Sequence, residues 1–298
     1  MPPLSFPSEL KEALNQVIEI YNHPKYLSTD PICFPKEYNS PLDIEVISLL
    51  TCLFAYGNVK AIRSFLSPLF LNLGPSPYLT LATKNSDYHN TLKNISYYRF
   101  QTREDNLILL KSISEILTIH YSRRSQKPIF ESLFLNDNEL FIPFEGISNF
   151  QSTLETQILT TSKQKQLTRG LCFLIGDPKA KSAKKRICLF LRWMVRKNFP
   201  DFGLYQKIKS SDIPFPLDVH IQRLIRILGI SQNKTYGLKE SLLIRDYFRK
   251  LSPEDPLLYD FYLTRVGMIQ KCQGKRINEI CSECKLERVC LIGSATGN

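Results

Sequence analysis

Four of the eight cysteines lie close together near the C-terminal end of the sequence, at a spacing that could hold a metal. They read Cys272-x8-Cys281-x2-Cys284-x5-Cys290, with no histidine among them. Because the composition is that of a cytosolic protein, four thiolates at short spacing predict a metal site rather than disulfides. A four-cysteine zinc site and a [4Fe–4S] cluster are the two candidates. Zinc sites usually pair two Cys-x2-Cys knuckles, and only one is present, so the spacing slightly favours iron–sulfur.

A second chemical feature is the positive charge between residues 163 and 197. The chain has 39 Lys and Arg against 28 Asp and Glu, a net charge of +11. This segment holds eleven basic residues and one acid, Asp177, and so carries +10 of that charge. One concentrated patch favours a polyanion such as a nucleic-acid backbone, with a solvated basic face as the alternative. The basic residues are Lys163, Lys165, Arg169, Lys179, Lys181, Lys184, Lys185, Arg186, Arg192, Arg196 and Lys197.

The elements that must position these residues are helices. Apolar residues recur at helical spacing, and there is no convincing alternating pattern or Asn-Gly hairpin, so we predict an all-α chain. An amphipathic helix opens the sequence, and a second one starts at Pro41 and ends at Gly57. Further helical patterns lie near residues 59–72, 104–121, 150–161, 164–175, 183–197, 217–228, 238–250 and 256–270.

The helix predicted at 183–197 carries the centre of the basic segment. At 100° per residue, Arg192 and Arg196 each lie within about 20° of Lys185, which predicts an exposed basic ridge. Trp193, the only tryptophan, is expected in the core. The opposite face carries an apolar stripe that consists of Ile187, Phe190, Leu191, Met194 and Val195.

The composition excludes several classes of protein. With 43% hydrophobic and 22% charged residues the chain is globular rather than disordered. No apolar stretch reaches the roughly 20 residues of a membrane span, and the N-terminus resembles no secretory signal. We therefore expect a soluble, cytoplasmic protein.

Asp218 immediately precedes an apolar-periodic helix that ends at Gly229, so helix physics predicts that it is an N-cap. A carboxylate at this position could also stabilise positive charge that develops on a sugar during glycosidic cleavage. Taken alone, the capping role is the simpler interpretation. Asp255 and Asp260 are most simply acids at a helix start.

Two segments resemble a known superfamily. The tail, with its Cys-x2-Cys-x5-Cys spacing, resembles the cluster loop of endonuclease III and the adenine glycosylases. Residues 216–223, PLDVHIQR, resemble the aspartate segment of the same helix-hairpin-helix DNA glycosylase superfamily. The chain over residues 41–290 also resembles a prokaryotic family distantly similar to the archaeal 8-oxoguanine glycosylases. The first cysteine interval is x8 instead of x6, and a basic segment, residues 176–182, replaces the usual Gly-x-Gly hairpin turn.

The resemblance implies roles for named residues. Lys185 would be the nucleophile, with Lys184 as its competitor, and Asp218 would be the catalytic acid. A lysine nucleophile needs a depressed pKa, which neighbouring cations favour. The four clustered cysteines would hold a [4Fe–4S] cluster, with zinc as the alternative. The residues expected to contact DNA are Lys179, Lys181, Lys184, Arg186, His220 and Arg223; for His220 a purely structural role is equally compatible.

The implied architecture has two helical lobes. We expect an N-terminal helix (1–40) that packs with the C-terminal lobe, a barrel domain with the hairpin (41–198), and an aspartate-bearing cluster domain (199–298). The implied function is excision of a damaged base, an oxidised purine, from double-stranded DNA by a nucleoid-associated monomer. Strand cleavage through a lysine Schiff base would make the enzyme bifunctional. A glycosylase that uses Asp218 alone and a non-catalytic nucleic-acid-binding protein with a structural metal are the alternatives.

Overall fold

The computed structural model of the protein describes residues 7–293, and helices account for most of them. Within these residues the only β pairings are isolated bridges between Tyr98 and Gln101 and between Ser182 and Gly237. The prediction of an all-α chain is therefore confirmed. The α helices are α1 (Pro7–Tyr21), α2 (Pro41–Phe54), α3 (Val59–Leu73), α4 (Pro77–Thr83), α5 (Ser86–Asn94), α6 (Arg103–Ser122), α7 (Pro143–Ser162), α8 (Arg169–Ile175), α9 (Lys185–Val195), α10 (Val219–Ile227), α11 (Leu238–Leu251), α12 (Asp260–Met268) and α13 (Asn278–Cys281).

Every helix within residues 7–293 is too short or too polar to cross a membrane.

Most helices start where local chemistry favours a start. Helices α2, α4 and α7 have proline in their first turn, where a missing N–H costs nothing. Thr102 and Asp105 form a reciprocal capping box at α6, with hydrogen bonds of 3.1 and 2.8 Å. Helix α9 is an exception because its N-cap, Lys184, has a left-handed backbone with φ of 50°. Such a conformation costs a non-glycine residue about 1–3 kcal/mol, so tertiary contacts must hold this helix start.

The chain divides into two compact units, and each is described by itself. Unit 1 comprises the described residues up to Tyr26, the segment Lys181–Phe202 and the described residues from Lys209 onward. Unit 2 comprises Leu27–Ala180 and Gly203–Ile208. The observed divisions near residues 26 and 180 differ from those expected at 40 and 198. As a result α9 belongs to the same unit as α10 and α12, although its sequence position suggested the barrel.

Helix α2 forms the centre of unit 2. Its residues are buried on all sides of the helix, and one of them is Glu45, which is only 1% exposed. The Glu45 carboxylate accepts hydrogen bonds from the backbone N–H of Ile129 (2.7 Å) and Phe130 (2.9 Å) and from the Tyr205 hydroxyl (2.7 Å). Burial raises the pKa of Glu45 to about 7, although these three donors act to lower it.

A second buried carboxylate of unit 2, that of Glu131, also accepts hydrogen bonds from backbone N–H groups. Glu131 Oε1 accepts the backbone N–H groups of Gln206 (2.7 Å) and Lys207 (2.6 Å). Together with the Tyr205 hydroxyl bond, these contacts fix the short segment Gly203–Ile208 in unit 2.

The core of unit 1 includes the apolar stripe of α9. All five predicted stripe residues are buried, and Trp193 is fully buried, so both expectations are confirmed. Helix α12 packs on both α1 and α10. Gly267 marks the closest approach to α10, because a Cβ built there would lie 2.7 Å from the Cβ and Nδ1 atoms of His220.

Candidate active site

Asp218 is the N-cap of α10, as the sequence predicts. Its Oδ1 atom accepts a hydrogen bond of 2.7 Å from the backbone N–H of Ile221. The residue is partly exposed, so a ligand can reach its side chain. The N-terminus of a helix favours a nearby anion, and this position therefore suits a carboxylate that has to remain charged.

His220 is the second residue of α10, and the charges of several candidate residues act on it. Burial lowers the pKa of His220; the charge of Asp218 opposes this effect, and the charges of Arg223 and Lys185 add to it. Asp218 and Lys185 are therefore both close to the imidazole, although 33 positions separate them in the sequence. The Nδ1 atom of His220 is buried against Gly267 and has no hydrogen-bond partner among the described residues.

Lys185 and its neighbour Lys184 occupy different environments. Lys185 is the first residue of α9 and is partly exposed. Lys184 is buried, with 8% exposure, and its charge acts on the fully buried thiol of Cys188. Of the two amines, Lys185 is the one whose charge acts on His220 in the α10 segment.

The prediction of an exposed basic ridge on α9 is wrong for the arginines beyond the first turn of the helix. Arg192 and Arg196 are each only 2% exposed. Arg192 binds Asp201 (3.0 Å) and Asp260, and Arg196 binds Asp201 (2.6 Å) and Asp255 (2.8 Å). The exposed charge of the basic segment is reduced accordingly. We call these five residues the buried ion-pair cluster.

Asp260 connects this cluster to the Asp218 environment. It is the first residue of α12 and is 2% exposed. Burial raises the pKa of Asp260 to about 6, Arg192 opposes the rise, and the charge of Asp218 adds to it. Its second oxygen, Oδ1, is buried without a hydrogen-bond partner in the described part of the chain. An unsatisfied buried acceptor costs about 1–3 kcal/mol, so stability alone does not account for this residue.

The basic segment that replaces the hairpin turn has two exposed lysines. In unit 2, Asp177 forms a turn in which its Oδ1 accepts the backbone N–H of Lys179 at 2.8 Å. In unit 1, the carbonyl of Lys181 accepts the backbone N–H of Leu238 at 3.2 Å. Both lysine side chains are exposed, and Arg186 is partly exposed. These positions are compatible with the expected phosphate contacts.

The four clustered cysteines lie near one another in unit 1. Burial raises the pKa of Cys284 to about 11, and the proximity of the other three thiols adds to the rise. Between residues 7 and 293, no group of three or more His, Cys, Asp or Glu side chains is arranged to hold a metal ion. The donor chemistry nevertheless fits, because four neighbouring thiols suit zinc or an iron–sulfur cluster.

The cysteine tail is tied to the helix that begins at Asp218. Arg223 of α10 donates to the carbonyl oxygen of Cys272 at 2.6 Å. The backbone N–H of Leu291 donates to the carbonyl of Ile227, at the end of the same helix, at 2.7 Å. Arg223 was expected to contact DNA, and in the structure its guanidinium binds the tail.

Sequence reasoning missed the ion pairs of the buried cluster: it did not identify Asp201, and it interpreted Asp255 and Asp260 as acids at a helix start. Asp201 follows Arg196 by five residues, whereas Asp255 and Asp260 lie 59 and 68 positions from their arginines and are brought to α9 by folding. The available signal was local: two arginines at i and i+4, followed by an acid five residues after the second. That spacing does not distinguish a buried pair from an exposed one.

The comparison with protein families gives one match. The family described as "Protein of unknown function (DUF2400)" matches residues 30–269. The match includes Lys185, Asp218 and Asp260 and ends before the first clustered cysteine, Cys272. The chain matches no curated protein and no solved structure.

Proposed function

For this chain, which belongs to the DUF2400 family of proteins of unknown function, we propose the activity of a DNA glycosylase that removes an oxidised purine from double-stranded DNA. The observation that carries the proposal is that the charges of Lys185 and Asp218 both act on His220, within one unit. An amine and a carboxylate on two helix starts are the groups that a glycosylase of this type needs. The resemblance of residues 216–223 and of the tail to the helix-hairpin-helix glycosylases supports the same activity.

In the proposed reaction Lys185 is the nucleophile. Its neutral amine attacks C1′ of the sugar while the bond from C1′ to the base breaks, and the base leaves with the electron pair and takes up a proton. Transfer of a proton from the new ammonium group to O4′ and opening of the C1′–O4′ bond give a free 4′-hydroxyl and a protonated Schiff base. Removal of a C2′ proton then expels the 3′ phosphate, which cleaves the strand.

Asp218 acts electrostatically in this scheme. Positive charge develops on the sugar as the base leaves, and a carboxylate fixed by the Ile221 N–H is already in place to stabilise it. The damaged nucleotide has to leave the base stack, because C1′ cannot be reached inside a duplex. Lys179, Lys181 and Arg186 are the proposed phosphate contacts that hold the flanking DNA.

The proposed cofactor is a [4Fe–4S] cluster held by Cys272, Cys281, Cys284 and Cys290, with zinc as the alternative. Bound metal would contribute folding free energy to the tail. Because the tail binds both Arg223 and the end of α10, that stability would reach the helix that carries Asp218.

Borohydride trapping tests the proposed chemistry. Wild-type protein incubated with duplexes that carry different oxidised purines should form a covalent adduct on at least one of them. Lys185→Gln should abolish the adduct and retain lesion binding, and Asp218→Asn should slow its formation by about 10²–10³-fold. Lys11→Gln is the control, because it removes the same charge from an exposed lysine of α1, outside the basic segment, and should still trap.

The other outcomes separate the alternatives. Trapping by Lys185→Gln together with its loss in Lys184→Gln would assign the nucleophile to the neighbouring lysine. Base release without trapping would indicate a monofunctional enzyme that depends on Asp218. Binding without base release on every lesion would contradict the glycosylase and favour the non-catalytic binding protein.

Metal analysis tests the proposed cofactor. Protein purified without oxygen should be brown, with iron and sulfide near four equivalents each. Cys284→Ala should lose the metal, whereas Cys172→Ala, which removes an exposed thiol outside the tail, should keep it. Colourless protein with one equivalent of zinc would replace the cluster by the alternative.

A further inference from the structure

The buried ion-pair cluster has more charge than stability requires. Arg192, Arg196 and Asp201 are almost completely buried, and the desolvation of such groups offsets most of their mutual attraction. Well-packed apolar side chains often stabilise a core equally well. The fixed geometry of these ion pairs, rather than their stability, therefore indicates what the cluster does.

Arg192 is placed to fix the rotation of α9. It follows Lys185 by seven residues, so the two side chains lie on nearly the same side of the helix, two turns apart. Its guanidinium binds Asp201 through Nε (3.3 Å) and Nη2 (3.0 Å) and binds Asp260 through Nη1. A planar group held from two sides cannot rotate without breaking several bonds. Lys185 is consequently held at a fixed angle about the helix axis.

Asp260 extends this restraint to the other half of the site. It begins α12, which meets α10 at the contact between Gly267 and His220. The charge of Asp218 acts on Asp260, so the two carboxylates are near one another. The Arg192–Asp260 ion pair thus joins the helix of Lys185 to the helices that surround Asp218.

We propose that Arg192 and Asp260 are positioning residues, whose ion pair sets the amine of Lys185 relative to Asp218. The catalytic role of the two positioned groups rests on the proposed function, but the placement of the Lys185 amine does not. Asp255 provides the control, because it binds Arg196 at the other end of the same cluster and is linked to Arg192 through Arg196 and Asp201.

The first measurement is the reactivity of Lys185 toward an amine-acylating reagent, read by mass spectrometry with the exposed Lys181 as internal reference. Asp260→Asn and Arg192→Lys should change the relative reactivity of Lys185 several-fold. Asp255→Asn should leave it within twofold of wild type, even if it lowers the melting temperature as much. Equal effects of Asp260→Asn and Asp255→Asn, or no effect of either, would overturn the proposal.

The second measurement is the single-turnover rate of adduct formation at saturating lesion DNA. Asp260→Asn and Arg192→Lys should lower this rate about tenfold or more and leave the dissociation constant for DNA unchanged, whereas Asp255→Asn should keep both. If wild type forms no adduct, the proposed function fails, and the reactivity of Lys185 still decides the positioning role. If adducts form and the rate is unchanged in the Asp260 and Arg192 variants, only the positioning proposal fails.

Discussion

Unit 1 and unit 2 both bury carboxylates, and they compensate them with different partners. In unit 1, Asp201 and Asp260 face guanidinium groups. In unit 2, Glu45 and Glu131 face backbone N–H groups and, for Glu45, a tyrosine hydroxyl. An ion pair retains charge in the interior, whereas neutral donors allow a carboxyl group to take up a proton when burial demands it. The comparison indicates that unit 1 compensates its buried carboxylates with cations and that unit 2 compensates them with neutral donors.

The largest expected effect is the loss of a buried cation in unit 1. Arg196→Met keeps most of the side-chain volume but leaves Asp255 and one oxygen of Asp201 without their partner. Breaking a buried pair in this way costs about 3–5 kcal/mol of unfolding free energy. Urea denaturation measures the change.

The matched variant in unit 2 is Lys84→Met, which removes the same charge from the half-exposed pair with Glu115. Its cost should stay below about 1 kcal/mol. Similar losses for the two variants would remove the distinction between fixed interior charge and surface charge.

The next largest expected effect is a pH dependence of the unfolding free energy, and its source is Glu45 of unit 2. Glu45 has a pKa raised from 4.5 to about 7, so the folded protein binds a proton that the unfolded chain releases. The stabilisation from this proton is complete below pH 4.5 and is lost as pH rises through about 7. At 1.36 kcal/mol per pKa unit it amounts to about 3 kcal/mol.

Glu45→Gln should therefore flatten the dependence of unfolding free energy on pH between 4.5 and 7. The Asp260 carboxyl has a pKa raised in the same direction, so Asp260→Asn measures the contribution of unit 1 separately. A pH profile that Glu45→Gln leaves unchanged would mean that Glu45 stays charged in the fold.

The smallest expected effect concerns one hydrogen bond. Tyr205→Phe removes the hydroxyl that binds Glu45 and leaves the two backbone donors in place. The unfolding free energy should fall by about 1 kcal/mol. Tyr236→Phe is the control, because the Tyr236 hydroxyl is buried without a hydrogen-bond partner among the described residues, and its removal should cost nothing. Equal losses would show that the Glu45 contact contributes no net stability.

The helices and the cap at Asp218 could be predicted from the sequence because both depend on neighbours within a few residues. The pattern at 183–197 identified the buried stripe correctly, since apolar periodicity reports directly on burial. The same pattern assigned Arg192 and Arg196 to solvent, because periodicity shows one apolar face and is silent about a second buried face made of ion pairs. The partners that reverse the assignment lie up to 68 positions away.

The site was predicted unevenly for the same reason. Asp218 was identified through its cap position and its surrounding motif. The roles of His220 and Arg223 depend on Gly267 and on Cys272, which only the tertiary fold brings next to α10. Local sequence thus identifies candidate groups, and the fold shows which of them, such as Arg223, are used in contacts within the protein.

The route of the chain has a consequence for the independence of the two units. The backbone enters unit 2 after Tyr26, leaves it after Ala180 and returns for the six residues Gly203–Ile208. A fragment comprising residues 27–180 would lack the hydroxyl of Tyr205 and the amides of Gln206 and Lys207, so Glu45 and Glu131 would each lose donors in its interior. Unit 2 is therefore not a contiguous module of the chain, because the six residues that complete its interior hydrogen bonds follow a segment of unit 1 in the sequence.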